Sequence, residues 1–110
     1  MKQYVIDQLR EKDFYALQDY LDGHAEEGAL PGIYWVPLPE TLYEGLQHEH
    51  KSCQPFYFAV NLDRNAIKFE MLVRTRRRMR CGCIQYATHT QREYIIAYAD
   101  RLFETLSLVT

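Results

Sequence analysis

Six side chains in this sequence are of the types that hold transition metals: His48, His50 and Cys53 in one stretch, and Cys81, Cys83 and His89 in another. Thiolate sulfur and imidazole nitrogen are the donors that zinc prefers, and four of them converging tetrahedrally make a closed structural site. The spacing of His50 and Cys53 suits such a site. Cys81 and Cys83 are separated by a single residue, which on a regular strand puts both on one face without making them chelate one ion. The competing account is that the cysteines are small buried apolar groups and the histidines surface or helix-end residues, with His50 favourably placed near a helix C-terminus.

The same residues allow a nucleophilic thiol, Cys81 or Cys83, with His89 as base. The arginines and the start of the last helix would then lower the thiol pKa. No glycine-rich phosphate loop, nucleophile elbow or paired-histidine helical motif accompanies them, so an enzyme is not the expectation.

A basic run, Arg74, Arg76, Arg77, Arg78 and Arg80, supplies another chemistry. If the strand before it continues, Arg74, Arg76, Arg78 and Arg80 form a ladder on one face, able to grip the phosphates of RNA, DNA or an anionic metabolite. Tyr57 on the neighbouring strand could stack on unpaired bases. Against this, arginines on a sheet edge also resist aggregation and can pair with acidic residues elsewhere. Residues 1–50 carry three Lys or Arg against ten Asp or Glu, and residues 51–110 carry ten against five, so the net charge of −2 hides a strong asymmetry. The pI of about 6.1 falls short of the basic value expected of a dedicated nucleic-acid binder.

The elements that must position these groups follow from patterning. A chain of 110 residues with 47% apolar content builds one domain, 1–110, large enough to fold without disulfides or a metal. Asp13 is a plausible N-cap of a helix of about ten residues, with Phe14, Leu17 and Leu21 on one stripe and Gly23 as its stop. Residues 24–32 read as a loop and 33–36 as a short strand. A helix with Leu42 and Leu46 inward is expected to run from Pro39 to near His50.

Residues 56–62 and 67–73 alternate with period two: Phe56, Phe58, Val60 and Leu62 face one way, as do Ile67, Phe69, Met71 and Val73. Asp63, Arg64 and Asn65 join them as a hairpin. Residues 81–87 are expected to add a strand with Gly82 at a bulge. Thr88 or Thr90 caps a final helix of about 17 residues carrying Ile95, Tyr98, Leu102 and Leu106 inward. The segment 1–7 is left open between strand and helix.

The expected fold is α+β: a small antiparallel or mixed sheet of about three or four strands covered by helices, closed by a long C-terminal helix. The longest apolar run, residues 94–99, is far short of the ~18 needed to span a bilayer, and the first residues do not resemble a secretory leader. Three cysteines without an export signal suggest reduced thiols in the cytoplasm. Nine tyrosines exceed what one core needs, which points to a homodimer interface. The leading expectation is therefore a self-associating cytoplasmic interaction module, with a zinc site and a polyanion- or RNA-binding arginine face as the alternatives.

Overall fold

The chain, described here by a computed structural model over residues 1–109, follows the order β1 (Gln3–Ile6), α1 (Glu11–His24), β2 (Glu26–Glu27), β3 (Ile33–Pro37), α2 (Gly45–Glu49), β4 (Phe56–Leu62), β5 (Ile67–Glu70), β6 (Leu72–Thr75), β7 (Gln85–Tyr86) and α3 (His89–Thr105). The α+β class and the long C-terminal helix match expectation. The sheet is larger than expected: seven strands, all antiparallel, ordered β1-β5-β4-β3-β2 with β6 and β7 branching from the other end of β4. The extra strands are short edge pieces. β1 adds to the hairpin beside β5, and the two residues of β2 turn part of the expected loop into an edge against Tyr34 and Trp35.

The branch has a simple cause. Against β4, Val60 faces Phe69 and Leu62 faces Ile67, whereas Tyr57 faces Arg74 and Phe56 faces Thr75. Four residues on the returning arm thus span the same interval as two on β4, the signature of a bulge around Met71. At that bulge the outer neighbour changes: the Met71 N–H donates to Lys2 O at 3.0 Å beside β1, while Met71 O accepts from Ala87 N at 2.7 Å beside β7. Because the insertion is even, alternation survives it. Ile67, Phe69, Met71 and Val73 are buried, and Lys68, Glu70 and Arg74 lie on the other face.

The buried face packs under α1, through Phe14, Leu17 and Leu21, and under α3, through Ile95, Ala99, Leu102 and Phe103. Sequestering side chains such as Leu17, Phe58, Phe69 and Ile95 contributes about 1.5–3 kcal/mol each. A smaller second core, Leu38, Tyr43, Cys53, Phe56, Val73 and Cys83, sits at the β6 end of the sheet. Of the nine tyrosines, Tyr34, Tyr43 and Tyr57 are buried, Tyr4, Tyr20, Tyr94 and Tyr98 are half-buried, and Tyr15 and Tyr86 are exposed.

Local corrections have local reasons. Helix α1 begins one turn earlier than expected because Arg10 is its cap. Asp13, three residues in, accepts from the Arg10 N–H at 3.0 Å and from its guanidinium Nε at 3.1 Å. Gly23 does not stop the helix, which runs on to His24. The expected helix after Pro39 is broken into a 3-10 turn at Glu40–Leu42, the five-residue α2, and a second 3-10 turn at Lys51–Cys53. Leu46 is 39% exposed, and Gln47 is the residue that α2 buries. Gly32, at φ +83, has its carbonyl bonded by Leu62 N at 2.7 Å, and a Cβ there would lie 2.8 Å from Leu62 O, so no side chain fits.

Gln47 is buried because it meets Gln91. The Gln91 Nε2 donates to Gln47 Oε1 and to Leu42 O, both at 2.8 Å, while Gln91 Oε1 accepts from Thr88 N at 3.1 Å. Thr88 is the α3 cap, as expected, so one amide fastens the start of α3 to α2. Gln91→Leu should orphan these buried groups and lower stability by about 1–3 kcal/mol, readable as a reduced urea midpoint. An unchanged midpoint would mean that the network contributes nothing.

Candidate metal centre

The second 3-10 turn and the turn after the arginine run meet at the edge of the second core. A 3-10 helix has three residues per turn, so side chains three apart eclipse, and His50 and Cys53 bracket the turn Lys51–Cys53 at that spacing. Both aim the same way. The Cys53 N–H donates to His50 O at 3.0 Å and holds the turn.

Cys81 and Cys83 do not lie on a strand. The expected strand over 81–87 shrinks to Gln85–Tyr86, and residues 81–84 form a turn closed by Ile84 N donating to Cys81 O at 3.1 Å. The turn removes the obstacle seen in the sequence, because it bends the two cysteines towards one point. Gly82 sits in this turn rather than at a bulge. An added Cβ would make an ordinary 3.6 Å contact with Leu46, so the glycine is not sterically required.

The result is a cluster of four donor atoms, from His50, Cys53, Cys81 and Cys83, all within 4.8 Å of one another. His50 Nδ1 lies 3.2 Å from Cys81 Sγ, and Cys53 Sγ lies 4.0 Å from Cys81 Sγ. Around tetrahedral zinc the edges would be ~3.8 Å between sulfurs and ~3.6 Å between sulfur and nitrogen, so both separations need shifts of only a few tenths of an ångström. Cys53 and Cys83 are buried, whereas Cys81 and His50 are half-buried at the mouth of a groove of ≈560 Å³ lined also by Lys51, Arg78 and Arg80.

Of the six expected metal-ligating residues, these four come together and two do not. His48 is exposed on α2 and is not among the four converging donors. His89 is exposed in the first turn of α3, 3.8 Å from Glu93. It is therefore His50, not His89, that faces a cysteine, and a thiol–imidazole pair would be Cys81 with His50.

The thiols are not alike. Hydrogen bonds from the Cys83 backbone N–H and from the Cys83 thiol hold Cys81 below its ordinary value, at about 6, with His50 and Cys53 adding to the effect. Burial pushes the Cys83 thiol up to about 12, reinforced by its sulfur neighbours. Cys81 is thus the more easily ionised thiol, and Cys83 keeps its proton and donates a hydrogen bond to it.

The arginines expected as a ladder are placed differently. Strand β6 ends at Thr75, so residues 76–80 form a loop and do not continue one face. Arg74 and Arg76 do share the open face of the sheet, both stacked over Trp35 with guanidinium carbons 5.2 and 5.4 Å from the ring centroid. They pair with Glu70 and Glu26, each at 2.7 Å. Arg78 and Arg80 project from the loop, beside the cysteine cluster. Trp35 and Glu26 went unnoticed as arginine partners in the sequence, since their pairing depends on β2 and β3 lying beside the sheet end.

In metal-free protein, alkylation of Cys81 should outpace that of buried Cys53 and Cys83. Its rate should rise with pH through about 6 and then level off, because the thiolate is the nucleophile. Peptide mapping after a short iodoacetamide pulse reads this, and equal labelling of all three cysteines would contradict the ordering.

Comparison with family models, with curated proteins and with solved structures finds no match for this chain, so the reading of its site rests on its own residues.

Proposed function

We propose that this chain is a zinc-binding domain in which His50 Nδ1 and the sulfurs of Cys53, Cys81 and Cys83 hold one structural ion. The observation that carries the reading is the convergence of four donor atoms within 4.8 Å from segments 28 residues apart, one of them an imidazole nitrogen. Apolar burial explains why Cys53 and Cys83 lie in a small core. It gives no reason for a polar ring nitrogen to lie 3.2 Å from the sulfur of Cys81, within the same cluster.

The donor set selects the metal. Thiolates disfavour magnesium and calcium, and a compact tetrahedral sulfur–nitrogen set suits zinc. With four protein ligands no coordination position is left for water or substrate, which makes the role structural rather than catalytic. Three thiolates around a divalent ion leave one net negative charge, and Lys51, Arg78 and Arg80 line the adjacent groove to offset it. Reduced thiols are needed throughout, consistent with the reducing cytoplasm expected from the cysteine count. No helix among the described residues is long and apolar enough to cross a membrane.

The ion would staple the end of the arginine loop to the turn before β4. The main core under α1 and α3 does not touch this site, so the chain should keep its sheet and helices without metal. Binding must strip the Cys83 proton, hence affinity falls as pH falls.

Protein purified without a histidine tag should carry about one zinc per chain by elemental analysis. Cys81→Ser and Cys83→Ser should lose it, while His48→Ala and His89→Ala should retain it; cobalt in its place should give the intense blue-green absorption of a tetrahedral thiolate site. A folded, metal-free sample that takes up neither ion would overturn the proposal and leave Cys81 with His50 as a nucleophilic pair.

A further inference from the structure

The loop 76–80 reads Arg-Arg-Arg-Met-Arg, and it is fastened at both ends to the same turn. At its start, the Thr75 hydroxyl donates to Cys53 O, the Arg77 N–H donates to Thr75 Oγ1 at 3.0 Å, and Arg77 Nε donates to Gln54 O at 2.7 Å. At its end stands Cys81, within the cysteine cluster. A tip so anchored presents its side chains with little ordering left to do on binding.

Four cations at this tip have no carboxylate partner among the described residues: Lys51, Arg77, Arg78 and Arg80. Between Arg78 and Arg80, Met79 is 97% exposed. Concave surfaces flank the loop on both sides. One, of ≈370 Å³, runs to Trp35 and Arg76; the other, of ≈560 Å³, runs to Lys51 and Cys81; Arg78 lines both. Beneath the first, the Arg76 guanidinium lies in the angle between Trp35 and the buried Tyr57, its carbon 5.4 Å from each ring centroid and the rings inclined at 72°, and beside Arg74 it covers Trp35 on the open sheet face.

We propose that this surface binds unpaired nucleic acid, with phosphates held by Lys51, Arg77, Arg78 and Arg80 and a base stacked on the Arg76 guanidinium over Trp35. Unpaired cations on both sides of the loop, and a planar guanidinium backed by Trp35 in the hollow that Arg77 and Arg78 also line, are the two parts that single-strand recognition needs, charge for the backbone and a flat surface for the base. A duplex fits less well. Reading its major groove takes a protruding helix or ribbon, and here the basic element is a five-residue loop between two hollows that a flexible strand can follow and a rigid cylinder cannot. The acidic N-terminal half keeps the net charge at −2, so binding is local to this end of the molecule. The inference does not require the metal, since the Thr75 and Arg77 bonds hold the loop start without it.

Trp35 is the one tryptophan in the chain and lies in the groove, so its fluorescence reports occupancy. The test titrates as-purified protein with a labelled uridine oligomer of about ten nucleotides, following both Trp35 emission and anisotropy. Binding with Kd of about 1–100 µM at low salt is expected, weakening about 50-fold between about 50 and 200 mM salt, as about four phosphate contacts on a single strand require. Arg78→Glu combined with Arg80→Glu should weaken binding at least about tenfold while far-UV circular dichroism stays unchanged, and Arg78→Lys combined with Arg80→Lys should keep both the salt slope and the zinc content. Absence of salt-dependent binding would overturn the proposal. So would equal affinity for a duplex of matched charge, or for polyglutamate, which would indicate an acidic protein partner. Zinc content is measured separately on the same samples, so failure here and failure of the metal site are read apart.

Discussion

Everything at the functional end of this molecule depends on the pairing of Phe56 with Thr75 at the start of β4. That pair lies two residues out of step with the rest of the hairpin, and the difference is absorbed in the bulge around Met71. The shift has two effects. It frees the second half of the returning arm from β1 and gives it to β7, and it sets Thr75 against the turn that ends in Cys53. The Thr75 hydroxyl then bonds Cys53 O, and the arginine loop must begin within reach of the cysteines.

The rest of the site is built from weak local features made definite by that placement. A 3-10 turn aligns His50 with Cys53, a tight turn bends Cys81 towards Cys83, and a buried glutamine pair fixes α2, which leads into His50. Each of these is short and marginal alone. Their stability comes from the second core, in which Leu38, Tyr43, Phe56 and Val73 pack beside Cys53 and Cys83. Burial there also raises the Cys83 thiol, while the half-buried Cys81 receives hydrogen bonds and is lowered. The chain thereby sets an easily ionised thiol beside one that resists ionisation, with Gly82 between them.

Charge follows the same geography. Acidic residues dominate the first half of the chain; one of them, Glu26 on β2, holds Arg76 over Trp35, and Glu70 on β5 holds Arg74 there. The remaining loop cations have no such partner and face the hollows beside the cysteine cluster. A near-neutral protein can therefore carry a basic end, because, among the described residues, the acidic side chains that balance its charge do not pair with Arg77, Arg78 and Arg80.

Residue order alone was enough for the elements whose stabilising pattern is local. Period-two alternation placed the arms of the hairpin, helical spacing placed Phe14, Leu17, Leu21, Ile95 and Leu102, and Thr88 or Thr90 announced the last helix, of which the structure uses Thr88. It also supplied the six candidate metal-ligating residues. Tertiary structure decided which four of them meet, since His50, Cys53, Cys81 and Cys83 converge only after a bulge and a sheet branch that leave no periodic trace. It decided as well that residues 81–84 turn rather than extend, and that the arginine ladder breaks after Thr75, because no pattern in a run of like charges says where a strand loses its partner. Short edge strands such as β2 escaped the sequence for the same reason: two glutamates pair with β3 through backbone groups, and backbone groups are common to every residue.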